Sequence, residues 1–134
     1  MKRNRYIILV VFSVCAFYST ITVAQTDVIN QVKETIKAGS AKELSNYLNQ
    51  TIDVTIDNTV KTYSKAQAEF VFRDFFKQHP ATEFTIIHQG SSKGGLLPYA
   101  IGEYKSGTDN YRVFMKIKTV NSLQLVHELS FVKQ

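Results

Sequence analysis

The chain has 134 residues, one cysteine, and 16 Lys or Arg against 11 Asp or Glu, a formal charge of +5. Three of the basic residues and the cysteine lie in the first 24 positions, so the remainder carries +2 and no thiol, which excludes disulfides and thiol chemistry there. The remaining stretch, about 110 residues, is long enough for one domain with a two-layer core, and no repeat, low-complexity tract or linker divides it.

Lys2, Arg3 and Arg5 lead into the apolar run Tyr6 to Tyr18, and the segment closes on Thr22-Val23-Ala24. This layout predicts a secretory signal peptide over 1–24, cleaved before Gln25, ahead of a domain over 25–134. The expected location is exported, periplasmic or secreted. An uncleaved membrane anchor is the rival, because no charge falls between Tyr6 and Thr26, close to the ~20 residues of a span. Ser19, Thr20 and Thr22 weaken that rival, and Cys15 lies inside the apolar run as filler.

Val28, Ile29, Val32 and Ile36 recur at helical spacing and stop at Ala38-Gly39, which predicts a helix from 27 to 38. Ser40 and Glu43 match a capping box opening a short second helix that buries Leu44, Tyr47 and Leu48. The period then changes to two: Ile52, Val54 and Ile56 alternate with polar residues, and Asp57-Asn58 supplies the turn of a hairpin. Ser64 and Gln67 form a second capping box before Phe70, Val71, Phe72, Phe75 and Phe76, and His79-Pro80 ends this third helix. Its phenylalanines read as a core stripe. From Thr82 to Lys133 the pattern predicts four strands, broken at Gly90 to Gly95, at Gly107 to Asn110 and at Asn121-Ser122.

Two helices, a hairpin, a third helix and a long meander predict an α+β fold with three helices on one face of a strongly curved antiparallel sheet. The runs Tyr63 to Glu69, Arg73 to Phe76, His88 to Ser92, Ile101 to Tyr104 and Tyr111 to Val113 resemble an uncharacterised family of exported bacterial domains, domain of unknown function 4783. That family looks like a branch of the nuclear transport factor 2-like, cystatin-like superfamily. The resemblance implies a cone, its helices closing over the concave side of the sheet, often around a pocket. Relatives include isomerases, dehydratases, transport factors and dimerisation modules, so the fold does not select a function. No motif here transfers their catalytic residues position by position.

Strand parity predicts an inner face of Leu97, Tyr99, Ile101 and Glu103, then Tyr111, Val113, Met115 and Ile117, then Leu125, His127, Leu129 and Phe131, with Phe84, Ile86 and His88 from the preceding strand. A single bulge would flip part of this assignment. His88, Tyr99, Glu103 and His127 are the candidate catalytic groups, and Tyr99, Tyr111, Met115 and His127 the candidate lining of a small-ligand cavity. Histidine titrates near neutrality and burial raises a carboxyl pKa, which suits acid/base work. A histidine on an apolar strand more often gives its nitrogens to a carbonyl or a tyrosine and catalyses nothing.

His79, His88 and His127 lack metal-ligand spacing, no cofactor motif is present, and Gly90 to Gly95 precedes a strand instead of a helix, unlike a phosphate loop. Arg112, Lys116 and Lys118 alternate on the outer strand face, but an exported compartment offers no nucleic acid as partner. Ile87, Ala100, Tyr104, Phe114 and Val126 share that predicted outer side and would centre a homodimer. The leading expectation is an exported, non-catalytic ligand-binding or protein-interaction module. The alternative is a small-molecule lyase or isomerase working inside the cone, and a membrane association arises only if the signal is uncleaved.

Overall fold

The computed structural model describes residues 28–134; the predicted signal over 1–24, with Cys15 and the cleavage point before Gln25, lies outside the described residues. Helix α1 (Val28–Ala38) buries Ile29, Val32, Thr35 and Ile36 along one stripe. It stops because Gly39 takes φ +68°, letting its N–H reach the Ile36 carbonyl and the Ser40 N–H reach that of Thr35. Ser40 then caps α2 (Ala41–Ser45), its hydroxyl accepting from the Glu43 N–H at 3.3 Å. Strands β1 (Leu48–Ile56) and β2 (Thr59–Ser64) form the hairpin around Asp57-Asn58.

Ser64 ends β2 and caps α3 (Lys65–Gln78) through the full capping box, with 3.2 and 3.1 Å bonds between Ser64 and Gln67. The meander follows as β3 (Glu83–Ser92), β4 (Leu97–Ser106), β5 (Asp109–Val120) and β6 (Leu123–Lys133). Among the described residues the sheet has six strands in the order β2-β1-β6-β5-β4-β3. It is mixed where an antiparallel sheet was expected: the meander starts at the far edge and brings β6 back beside β1 in the same direction.

Two bulges bend the sheet and settle its faces. Ile87 is the extra residue of β3 between the pairs Ile86–Gly102 and His88–Ile101, and His127 is the extra residue of β6 between Val126–Ile117 and Glu128–Lys116. The inner face is Phe84 and Ile86 on β3, Ala100, Gly102 and Tyr104 on β4, Tyr111, Val113, Met115 and Ile117 on β5, and Val126, Leu129 and Phe131 on β6. Strand β4 therefore shows the opposite face from the one predicted. Its larger residues Tyr99 and Ile101 point away from the helices, and the small Ala100 and Gly102 point inward beneath a crowded aromatic layer.

That layer fills the cone. Phe72, Phe75 and Phe76 of α3 meet Tyr104, Tyr111 and Phe131 of the sheet, with ring centroids 4.5 to 6.4 Å apart. Phe70 leaves the predicted stripe. It is 61% exposed and carries the Arg73 guanidinium over its ring at 5.0 Å, since the helix period turns it away from Phe72 and Phe76.

Candidate functional site

Two of the four candidate catalytic residues meet. The β3 bulge rotates His88 onto the convex face, where its Nε2 lies 3.2 Å from the Tyr99 hydroxyl. Tyr99 reaches it by lying over Gly90, its cross-strand partner, where a Cβ would come within 2.6 Å of the hydroxyl oxygen. On the other side Tyr99 packs against Phe114 with centroids 6.0 Å apart, and the Lys116 ammonium sits over Phe114 at 5.5 Å.

Glu103 shares this face but stands four residues along β4 from Tyr99, about 13 Å at strand rise, and pairs with Arg112 at 3.8 Å. His127 lies two strands away, in the β6 bulge beside the offset that separates β1 from β6 between Leu48 and Asp53. Among the described residues its Nδ1 is buried with no hydrogen-bond partner. Tyr111 and Met115, expected to line a cavity, are packed in the core. No point lies within reach of all four candidate groups, and Tyr99, Glu103 and His88 face away from the cone.

Burial holds the His127 imidazole below its ordinary range; Lys116 and Lys118 push the same way, while Glu128 and Asp53 oppose. A depressed native pKa means the unfolded chain binds the proton more readily, so this contribution to stability is present above the unfolded value of 6.5 and is lost as pH falls through the native one. Urea titrations at about pH 7.5 and about pH 5 are expected to show a lower midpoint in acid. The drop should shrink in His127→Gln; an equal drop in both proteins would dismiss His127 as its source.

The predicted dimer residues divide. Ile87 is 49% exposed and Phe114 lies on the convex face, whereas Tyr104 and Val126 are completely buried on the other side, because β4 runs in the opposite parity and the His127 bulge shifts β6 by one residue. Tyr104 instead belongs to a group that the sequence did not single out. Its hydroxyl donates to the His79 carbonyl at the end of α3, and the Tyr111 hydroxyl lies 3.3 Å from His79 Nδ1, a bond whose direction follows the imidazole tautomer. Burial, with Tyr111 alongside, pushes the Tyr104 pKa up to about 12. Tyr111 is raised as well, by burial and then by Asp109 and Asp57, against the lowering influence of Lys133. Both phenols therefore stay neutral and fasten helix to sheet.

His79 ahead of Pro80 read only as a helix stop, and Ile101, which joins the convex apolar surface, was assigned inward. Alternation reveals neither position: His79 lies at the end of α3 outside any strand, and the face of Ile101 follows from which residues of β4 the aromatic layer leaves room for.

No group of acidic, histidine or cysteine side chains able to hold a metal occurs among the described residues. No helix among them is long and apolar enough to cross a membrane.

A bent sheet with three helices closed over its concave side is the architecture of nuclear transport factor 2-like proteins. A protein of that kind from Shewanella baltica superposes with a TM-score of 0.59 at 14% identity, covering 80% of this chain and 88% of its own, a likeness of fold alone. The chain belongs to the family described as domain of unknown function (DUF4783), whose model matches residues 29–131. Crystal structures of DUF4783 proteins are similar: one from Bacteroides uniformis at 27% identity and TM-score 0.75, covering 81% of this chain and 98% of that one, and one from Bacteroides ovatus at 26% and 0.72, covering 78% and 93%. No curated protein matches the sequence.

Proposed function

We propose that the protein is an exported, non-catalytic interaction module that works as a homodimer through the convex face of its sheet. The observation that carries this reading is the filled cone: Phe72, Phe75, Phe76, Tyr104 and Phe131 occupy the space where an interior ligand would sit. Binding then falls to the outside. Export is supported by the basic, apolar and small-residue order of 1–24.

The convex face offers Ile87, Tyr99, Ile101 and Phe114 as an apolar strip. Its flanking charges come as matched pairs, Glu103 with Arg112 and Lys116 with Glu128, so a second copy meets both signs instead of a single repelling field. A stable pair needs about 800 Å² from each partner, an area within reach of a six-stranded sheet. The lyase or isomerase alternative draws no support, as its four groups do not converge.

Light scattering during size exclusion is the test. The expected result is a dimer at about 100 μM that Phe114→Glu converts to a monomer, because the buried charge costs several kcal/mol. Far-ultraviolet circular dichroism should be unchanged, since Phe114 lies outside the core. A wild-type monomer at that concentration would refute the proposal.

A further inference from the structure

We infer that the depression between the start of α1, the α2–β1 connection and the β5–β6 turn is a binding site for a neutral saccharide. Its volume is about 580 Å³, inside the range of small-ligand sites. It lies outside the aromatic filling of the cone and shares no residue with the convex apolar strip.

The chemistry of its walls selects the ligand class. Gln31, Asn46 and Gln124 bring three amides, each able to donate and accept, and Thr119 adds a hydroxyl. Tyr47 and Leu123 supply apolar surface for the C–H faces of a sugar ring, and Leu123 is 62% exposed without a role in the core. Among the described residues no lysine, arginine, histidine, aspartate or glutamate lines the depression, so an ionised ligand finds no counter-charge from them. A neutral polyol matches that mixture of amides, hydroxyl and apolar surface.

The backbone around the depression is held in place. The Asn46 N–H bonds to the Glu43 carbonyl at 3.1 Å, the Tyr47 N–H to Leu44 at 3.0 Å, and the Tyr47 carbonyl accepts from Val126 at 2.8 Å. Asn121 and Ser122, at φ +49° and +65°, form a two-residue turn of the type that matches strand twist, which fixes the entry into Leu123 and Gln124. The site therefore needs little ordering before it binds.

The test is an amide-shift titration of the purified protein with maltotriose, cellotriose and chitotriose, and with trigalacturonate as the charged comparison. At least one neutral trisaccharide is expected to saturate at about millimolar concentration or below, with shifts concentrated at Gln31, Asn46, Tyr47, Leu123 and Gln124. Leu123→Glu and Gln31→Ala, both at exposed positions, should each weaken that binding about tenfold without changing the oligomeric state. No shift with any neutral trisaccharide at about 10 mM, or equally strong binding of trigalacturonate, overturns the assignment. Oligomeric state, read separately on the same samples, distinguishes failure of this site from failure of the dimer proposal.

Discussion

Phe131→Ala is expected to lower the free energy of unfolding by about 3–5 kcal/mol, a large part of the 5–15 kcal/mol that holds a typical domain. Phe131 is completely buried, and its ring lies 4.5 Å from Phe75, 5.6 Å from Tyr104, 6.1 Å from Phe72 and 6.2 Å from Phe76. It is the sheet residue on which α3 rests. Its neighbours cannot collapse into the vacated space, because Phe75 and Tyr104 are each tied to His79, by ring contact and by hydrogen bond. The cavity term therefore adds to the transfer term. Urea unfolding gives the number, and Phe131→Leu, which keeps most of the volume, should cost markedly less. A loss below about 1 kcal/mol for Phe131→Ala would mean that the cone is not held by this ring.

Local chemistry made the elements legible. The Ser64–Gln67 box, Gly39 beyond α1 and the turn residues Asp57-Asn58 and Asn121-Ser122 act over two to five residues, and each ends or begins an element where the sequence placed it. On β5, Tyr111, Val113, Met115 and Ile117 all face inward as their alternation predicts, since no residue within their run is displaced. Phe70 shows the limit of a composition argument. Four phenylalanines in seven positions cannot all point one way on a helix, and the one with Arg73 three residues on is the one that turns to solvent.

The face of β4, the end of β3 beyond Ile87 and the start of β6 up to His127 were not legible, whereas Phe84, Ile86, Leu129 and Phe131 face inward as expected; with the misread stretches went the site. Hydrophobic size suggested that Tyr99 and Ile101 face the core, but core volume is shared between layers. Where Phe72, Phe75, Phe76 and Phe84 fill the interior, the strand beneath them must give up volume, and Ala100 and Gly102 are the residues that do. The two bulges then move His88 outward and set His127 at a break in pairing. The His88–Tyr99 pair survives this inversion because both partners changed face together.

Gly102→Ala should reveal that trade of volume directly, with an expected loss of about 1–3 kcal/mol. Gly102 does not adopt a positive φ, so alanine suits its backbone, and in open space the substitution would stabilise by about 0.4–1 kcal/mol through the unfolded chain. The structure reverses that sign. A Cβ at Gly102 would stand 2.7 Å from Phe84 Cε2 and 2.9 Å from the Thr85 carbonyl oxygen, and neither can withdraw: Phe84 is 1% exposed, and Thr85 belongs to the neighbouring strand next to the Ile87 bulge. Gly90 is the internal comparison. The atoms nearest a Cβ there belong to the end of the Tyr99 side chain, which can swing into solvent, so Gly90→Ala should cost less than Gly102→Ala while breaking the His88–Tyr99 contact. Paired urea titrations decide the matter. If Gly102→Ala proves neutral or stabilising, β4 does not lie against Phe84 as described, and the inward placement of Ala100, Gly102 and Tyr104 fails with it.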